Sequence, residues 1–209
     1  GYSVSVPLLA GHGTSPKDLR HTTWNDWNNS AKSALFELKK HTDKAVVVGL
    51  SMGGVLALHL GAHYEINGVA AMATPFYLND WKLKLLPLFK YFFNYKNKRN
   101  GADVKNLEQK RMAVHYHSQP LLAIEQLLKL FTHVKDDLSE VHVPTLLIFS
   151  KNDHVAPFSN KDFIKRRLGS DDIRELVLDN SYHVLTLDNE REKVLNNLSI
   201  FIEEVIGKP

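Results

Sequence analysis

Gly49-Leu50-Ser51-Met52-Gly53 sets one serine between two glycines, and its flanks decide what that serine can do. Residues 45–48 (Ala-Val-Val-Val) form a strand-forming run before it, and residues 55–60 (Val-Leu-Ala-Leu-His-Leu) a helix-forming run after it. The pattern is strand, sharp turn, helix, with Ser51 at the tip. A strained turn lifts the hydroxyl clear of the backbone. Its neighbours must be small where the strand and helix approach each other closely. The helix N-terminus behind the serine offers N–H groups to a developing oxyanion. The chemistry suggested is nucleophilic attack on a carbonyl carbon through a covalent intermediate. It requires a base within reach of the serine and an acid to orient that base.

Two later stretches carry those residue types. Residues 143–150 are largely apolar and of strand length, and Asp153-His154 follow at their C-terminal end, the end at which loops of a parallel sheet build a site. Residues 173–178 read as a second strand that leads into Ser181-Tyr182-His183, and a final helix is expected from near Asp188. Ser51, Asp153 and His183 thus each follow a strand, in the order serine, acid, histidine.

With these residues in place the chain resembles the α/β-hydrolase superfamily, and within it the small bacterial carboxylesterases related to bacterial monoacylglycerol lipases. The matching pieces are Gly11-His12-Gly13, Gly49-Leu50-Ser51-Met52-Gly53-Gly54, Asn152-Asp153-His154-Val155-Ala156-Pro157 and Ser181-Tyr182-His183-Val184-Leu185-Thr186-Leu187-Asp188. The resemblance implies a mostly parallel sheet flanked by helices. It divides the chain into a core, residues 1–75 and 141–209, and a helical cap, residues 76–140. It also implies a serine carboxylesterase acting on short- to medium-chain esters, with Ser51 as nucleophile, His183 as base, Asp153 as its orienting acid and the Met52 backbone N–H as oxyanion donor. Serine at the elbow argues against dehalogenase or epoxide-hydrolase chemistry, which the superfamily runs through aspartate. Monoacylglycerol lipase is the sibling reading. In the same comparison residues 1–9 correspond to the family's fourth strand. About 40 residues of earlier strands, and the loop that supplies a second oxyanion donor, have no counterpart. The expectation is therefore that the chain is part of a longer protein. If it is complete as given, a non-catalytic binding protein on a hydrolase scaffold is the third reading.

The remaining elements must position that site. Residues 2–9 read as a strand. Trp24, Trp27, Ala31, Ala34, Leu35 and Leu38 mark one face of a helix over 23–40, and residues 68–73 read as a strand ending at Thr74-Pro75. Residues 76–140 show helical patterns and no clear strand, with a further helix over 121–131. As a cap, this segment excludes water and supplies an apolar acyl pocket. Most of its aromatic residues are expected to pack the cap on the body, with some of Phe76, Tyr77, Trp81 and Leu85 reaching the substrate and His154 at the rim. Nine basic residues between 82 and 111 face only Asp103 and Glu108, a local excess of seven positive charges. A solvated face explains this, and weak contact with an anionic membrane surface is the alternative.

Composition bounds the rest. The chain has 209 residues, 44% hydrophobic and 23% charged, which suits one soluble domain with a sizeable core. A net charge of +3 does not suggest nucleic acid. There is no cysteine, hence no disulfide framework, which is compatible with the cytoplasm. A leader upstream of residue 1 is left open. His115 and His117 have the wrong spacing for joint ligation on a helix, and no His-Glu-x-x-His occurs, so no catalytic metal and no cofactor are expected. His12 is expected to brace its loop. Asp188, Asn189 and Glu192 read as a helix cap. The expected partner is a small-molecule ester; oligomeric state is not legible.

Overall fold

Strands buried on both faces need apolar side chains in both alternating sets, and the two middle strands have them. A computed structural model describes residues 1–80, 83, 86, 93–97 and 101–208. In chain order these form helices α1 (Pro16–Arg20) and α2 (Trp24–Lys39), strand β1 (Val46–Leu50), helix α3 (Met52–His63), strand β2 (Gly68–Met72) and strand β3 (Tyr95–Asn97). There follow helix α4 (Leu107–Met112), strand β4 (Ser118–Pro120), helix α5 (Leu121–Asp137), strand β5 (Thr145–Ser150), helix α6 (Ser159–Lys165), strand β6 (Ile173–Leu178) and helix α7 (Arg191–Ile206).

Among the described residues the main sheet runs β1-β2-β5-β6, and every neighbouring pair is parallel. Val69, Ala71, Leu147 and Phe149 point to one side, into a core shared with α2, α3 and α5. Ala70, Met72, Leu146 and Ile148 point to the other, where Val194, Leu198 and Phe201 of α7 cover them. The sheet is thus a middle layer, and its C-terminal edge is where the loops after β1, β5 and β6 converge.

Local signals fix the helix starts. Thr23 caps α2, accepting from the Asp26 N–H while the Asp26 carboxylate receives the Thr23 N–H, a reciprocal capping box. The expected cap at Asp188 and Asn189 does not form. A short 3-10 turn over Leu185–Leu187 intervenes, α7 starts at Arg191, and its N-cap is Glu190, whose side chain makes no cap bond. The Glu190 carboxylate instead receives the Asn180 N–H at 2.7 Å and the Ser181 hydroxyl at 2.9 Å. Asp188 is spent on the backbone N–H groups of Tyr182, Lys105 and Asn106.

Two further expectations change. Residues 2–9 form no strand: they run past β1 without a ladder partner, leaving Val4, Val6 and Leu8 exposed. A cavity of about 280 Å³ lies between that run (Ser5, Val6, Pro7, Leu9), β1 and the apolar faces of α2 and α3. Residues 76–140 contain strands after all, because β3 and β4 pair antiparallel, Tyr95 opposite Pro120 and Asn97 opposite Ser118. Three-residue strands are too short to show a period of two in sequence. Helix α5 extends beyond the expected 121–131, and its second half (Leu130, Phe131, Val134) is buried in the main core beside α3.

Candidate active site

Ser51 is the N-cap of α3 and has φ 56° and ψ −121°. A positive φ at a non-glycine residue is strained and persists only where the surroundings impose it. Two close approaches do so here. A Cβ on Gly49 would lie 2.0 Å from the Gly53 carbonyl oxygen, and a Cβ on Gly54 would lie 2.0 Å from Thr74 Oγ1. At Gly53, the second glycine of the motif, a Cβ would meet nothing within 4 Å. The expectation of steric need therefore holds for Gly49 and passes from Gly53 to Gly54. The Ser51 N–H is itself fixed, donating to the Met72 carbonyl at 2.8 Å.

His183 stands between serine and acid. Its Nε2 lies 2.8 Å from Ser51 Oγ, and its Nδ1 lies 2.7 Å from Asp153 Oδ2. Both His183 and Asp153 are buried. The other oxygen of the carboxylate, Oδ1, accepts the N–H groups of Val155 and Ala156, each at 2.8 Å. Asp153 is thereby held with one oxygen on its own turn and the other on the imidazole. Met52 is the first residue of α3, so its N–H belongs to the helix N-terminus directly behind Ser51.

The loops that carry Asp153 and His183 are joined by a residue absent from the sequence reading of the site. Asp103 Oδ2 accepts the N–H groups of His154 and His183, each at 3.2 Å, its Oδ1 lies 2.9 Å from His154 Nδ1, and its carbonyl accepts the Val184 N–H at 3.1 Å. Ser150 Oγ also donates to the Ser181 carbonyl, tying the end of β5 to the loop after β6. Tyr116 does comparable service for the Gly11-His12-Gly13 turn, donating to the Gly11 carbonyl at 3.0 Å and accepting the Thr14 N–H at 2.8 Å. His12 braces the same turn, with Nδ1 3.2 Å from the Ala10 carbonyl and its ring edge-on to Trp27.

The residues expected around the substrate separate. Phe76 is buried, 7% exposed, and packs against Phe131 of α5 and Phe163 of α6. Tyr77 is 47% exposed with its ring edge-on to Phe163. Both backbone N–H groups are received by Asn160 Oδ1. His154 is engaged by Asp103 and packs edge-on against Tyr182. Trp81 and Leu85 lie outside the described residues, as do Lys82, Lys84, Lys90, Lys98 and Arg99 of the basic stretch. Of the rest, Lys96 pairs with Asp80 and Lys105 Nζ reaches Asn180 Oδ1 at 2.7 Å. Among the described residues no helix is long and apolar enough to cross a membrane.

A nucleophilic oxygen, an imidazole and a carboxylate in one hydrogen-bonded line can move a proton off the serine and return it to a leaving group. A family model, Hydrolase_4, described as serine aminopeptidase, S33, matches residues 1–191. The chain is similar to a thermostable monoacylglycerol lipase of Bacillus sp. (strain H-257), 32% identical over 211 residues, spanning 99% of this chain and 82% of the relative. It is 27% identical over 206 residues to a carboxylesterase of Bacillus subtilis (strain 168), spanning 98% and 82%. Among solved structures it superposes with TM-score 0.92 and 31% identity on one from a study of LipS and LipT, two metagenome-derived lipolytic enzymes, covering 98% of this chain and 83% of that one.

Proposed function

The chain belongs to the Hydrolase_4 family (serine aminopeptidase, S33), and from that premise we propose that it is a serine carboxylesterase hydrolysing short- to medium-chain carboxylic esters through an acyl-enzyme on Ser51. Its sheet and helices are those of an α/β-hydrolase. The observation that carries the proposal is the single imidazole of His183 bridging Ser51 Oγ at 2.8 Å and Asp153 Oδ2 at 2.7 Å.

In this reading Ser51 Oγ attacks the ester carbonyl while His183 Nε2 takes its proton. Asp153 fixes the tautomer with Nδ1–H toward Oδ2 and stabilises the imidazolium. The Met52 N–H, at the positive end of α3, faces the oxyanion that forms as the carbonyl becomes tetrahedral. His183 then returns the proton to the departing alcohol. A water deprotonated by the same imidazole releases the acid from Ser51. Residues 76–140 act as the cap over this site, anchored by Phe76 and by the second half of α5, with Tyr77 and His154 as the described residues that meet the acyl or alcohol part.

Monoacylglycerol lipase is the second reading, favoured by the 32% identity to the Bacillus sp. enzyme of that name. Initial rates on glyceryl monoesters against simple alkyl esters of matched acyl length separate the two. A weak membrane-surface role for the cap is supported by exposed Leu107, Met112 and Val114 around exposed Arg111. Co-sedimentation with anionic vesicles at low salt tests it, and equal binding to neutral vesicles removes it.

The central test is labelling with a fluorophosphonate, which reacts well only with an activated serine. One equivalent on Ser51, lost together with turnover of a p-nitrophenyl acyl ester in Ser51→Ala, is the expected result. Turnover retained by Ser51→Ala in a clean preparation overturns Ser51 as the nucleophile, and a parent chain that is neither labelled nor active leaves a hydrolase-fold binding protein.

A further inference from the structure

At the far end of the nucleophile helix lies a second cluster that the proposed ester chemistry does not use. Helix α3 carries His59 and His63, one turn apart on one face, and α5 carries Asp137 as its last residue. One nitrogen of each imidazole and one carboxylate oxygen lie within 4.8 Å of one another. His59 Nδ1 is 2.7 Å from Asp137 Oδ2, and His63 Nε2 is 3.1 Å from Asp137 Oδ1. The two imidazole rings are edge to face with centroids 4.6 Å apart.

We propose that His59, His63 and Asp137 bind a divalent transition-metal ion of the zinc class, clamping α3 to α5. The ligand types are those zinc prefers, two imidazoles and a carboxylate. Metal–ligand bonds of about 2.0–2.1 Å in a tetrahedron put ligand atoms about 3.3 Å apart, so three atoms now within 4.8 Å of one another have to draw together by roughly 1.5 Å at most. The ligands come from two elements that already pack together, so little ordering is needed. His63 is 43% exposed, which gives an entry path and room for water as fourth ligand.

Electrostatics favours a cation at this place. Both α3 and α5 end here, so the negative ends of two helix dipoles converge on the cluster, and the ligands themselves contribute one carboxylate. His133, one turn before Asp137, does not join the group. Its ring lies against Trp24 with centroids 4.6 Å apart. The two histidines also lie about 12 and about 18 Å along α3 from Ser51, at 1.5 Å per residue. The role is therefore to brace the helix whose first turn follows the nucleophile, and the ion takes no part in the reaction.

The test uses the full chain, stripped with a chelator and titrated with cobalt(II) chloride, which reports four- or five-coordinate nitrogen and oxygen ligation by its visible absorption. One equivalent is expected to bind and to be displaced by one equivalent of zinc chloride. His63→Ala and Asp137→Asn are each expected to weaken cobalt binding at least ten-fold with an unchanged circular dichroism spectrum. His117→Ala, which breaks the unrelated His115–His117 ring contact, leaves binding unchanged. No saturable absorption from the parent chain below millimolar cobalt overturns the proposal whatever the variants do. Equal binding by His63→Ala, or loss in His117→Ala, overturns it as well.

Discussion

The carboxylate of Asp103 accepts the backbone N–H of His183 at 3.2 Å, although the two residues are 80 positions apart. The same oxygen takes the N–H of His154, so the loop after β5 and the loop after β6 share one anchor. Charged acceptors make the stronger hydrogen bonds, about 1.5–3 kcal/mol each. Asp103→Ala removes the anchor without touching the reacting atoms, and small displacements of a catalytic group cost rate steeply. We expect kcat on a p-nitrophenyl ester to fall about ten- to hundred-fold, with KM nearly unchanged. Asp103→Asn, which keeps one acceptor oxygen, should recover much of the loss. An unchanged kcat in Asp103→Ala would show that the loops hold themselves.

Asp153→Asn separates orientation from packing. The side-chain oxygen can still accept the Val155 and Ala156 N–H groups that Oδ1 now receives. Its NH₂ group then faces His183 Nδ1 and forces that nitrogen to be an acceptor, which puts the proton on Nε2, against Ser51. An imidazole in that tautomer cannot take the serine proton. In other Ser-His-Asp enzymes the corresponding change costs about 10⁴-fold in kcat, and a loss of that order with an intact fold is expected. Thermal melting alongside kinetics checks both halves; a loss under ten-fold contradicts Asp153 as the orienting acid.

Much of this site could be read from sequence because its parts are local. A strand, a Gly-flanked serine and a helix lie within 20 residues, Asp153 follows an apolar run of strand length, and His183 follows a second run of strand length at residues 173–178. Asp103 and Tyr116 could not be read that way. Their partners are 51 to 105 positions away, and nothing in their own surroundings marks them. Phe76 shows what sequence leaves undivided: an aromatic residue near the site fits either packing or a substrate contact, and only the fold shows its ring against Phe131 and Phe163. Residues 2–9 have strand composition but no ladder to join, and a strand is defined by its partner. The pair His59 and His63 did carry a sequence signal, the one-turn spacing, but Asp137 is supplied by a helix 74 residues further on.

The glycines around Ser51 give a prediction that the motif alone would get wrong. Gly54→Ala drives a Cβ to 2.0 Å from Thr74 Oγ1, and Thr74 is fully buried, so relief requires the helix or β2 to shift. Overpacking of this kind costs about 1–3 kcal/mol. Gly53→Ala meets nothing, and alanine is favoured over glycine inside a helix by about 0.8–1 kcal/mol. Chemical denaturation should therefore show Gly54→Ala destabilised and Gly53→Ala equal to the parent or better. The reverse order would mean that the turn, and not the Thr74 contact, sets the glycine requirement.

Glu175 on β6 receives Lys161 and Lys165 from α6, and the hydrogen bond from Lys161, followed by that from Lys165, holds its carboxyl below the ordinary glutamate value. A carboxyl whose pKa is lower in the folded chain binds fewer protons there than when unfolded, so its contribution is complete above the unfolded value, about 4.3. It disappears as pH falls through the lowered folded value. The group is partly exposed, so the effect is small, about 1 kcal/mol or less. Glu175→Gln should lower Tm by about 2–4 °C at most at pH 7. The gap between parent and variant should close below pH ~4 and shrink in 1 M salt, where surface attractions are screened. Melting curves at pH 7, 5, 4 and 3 check the sign: a gap that persists undiminished at pH 3 would place the effect in packing of the Glu175 stem, not in its charge.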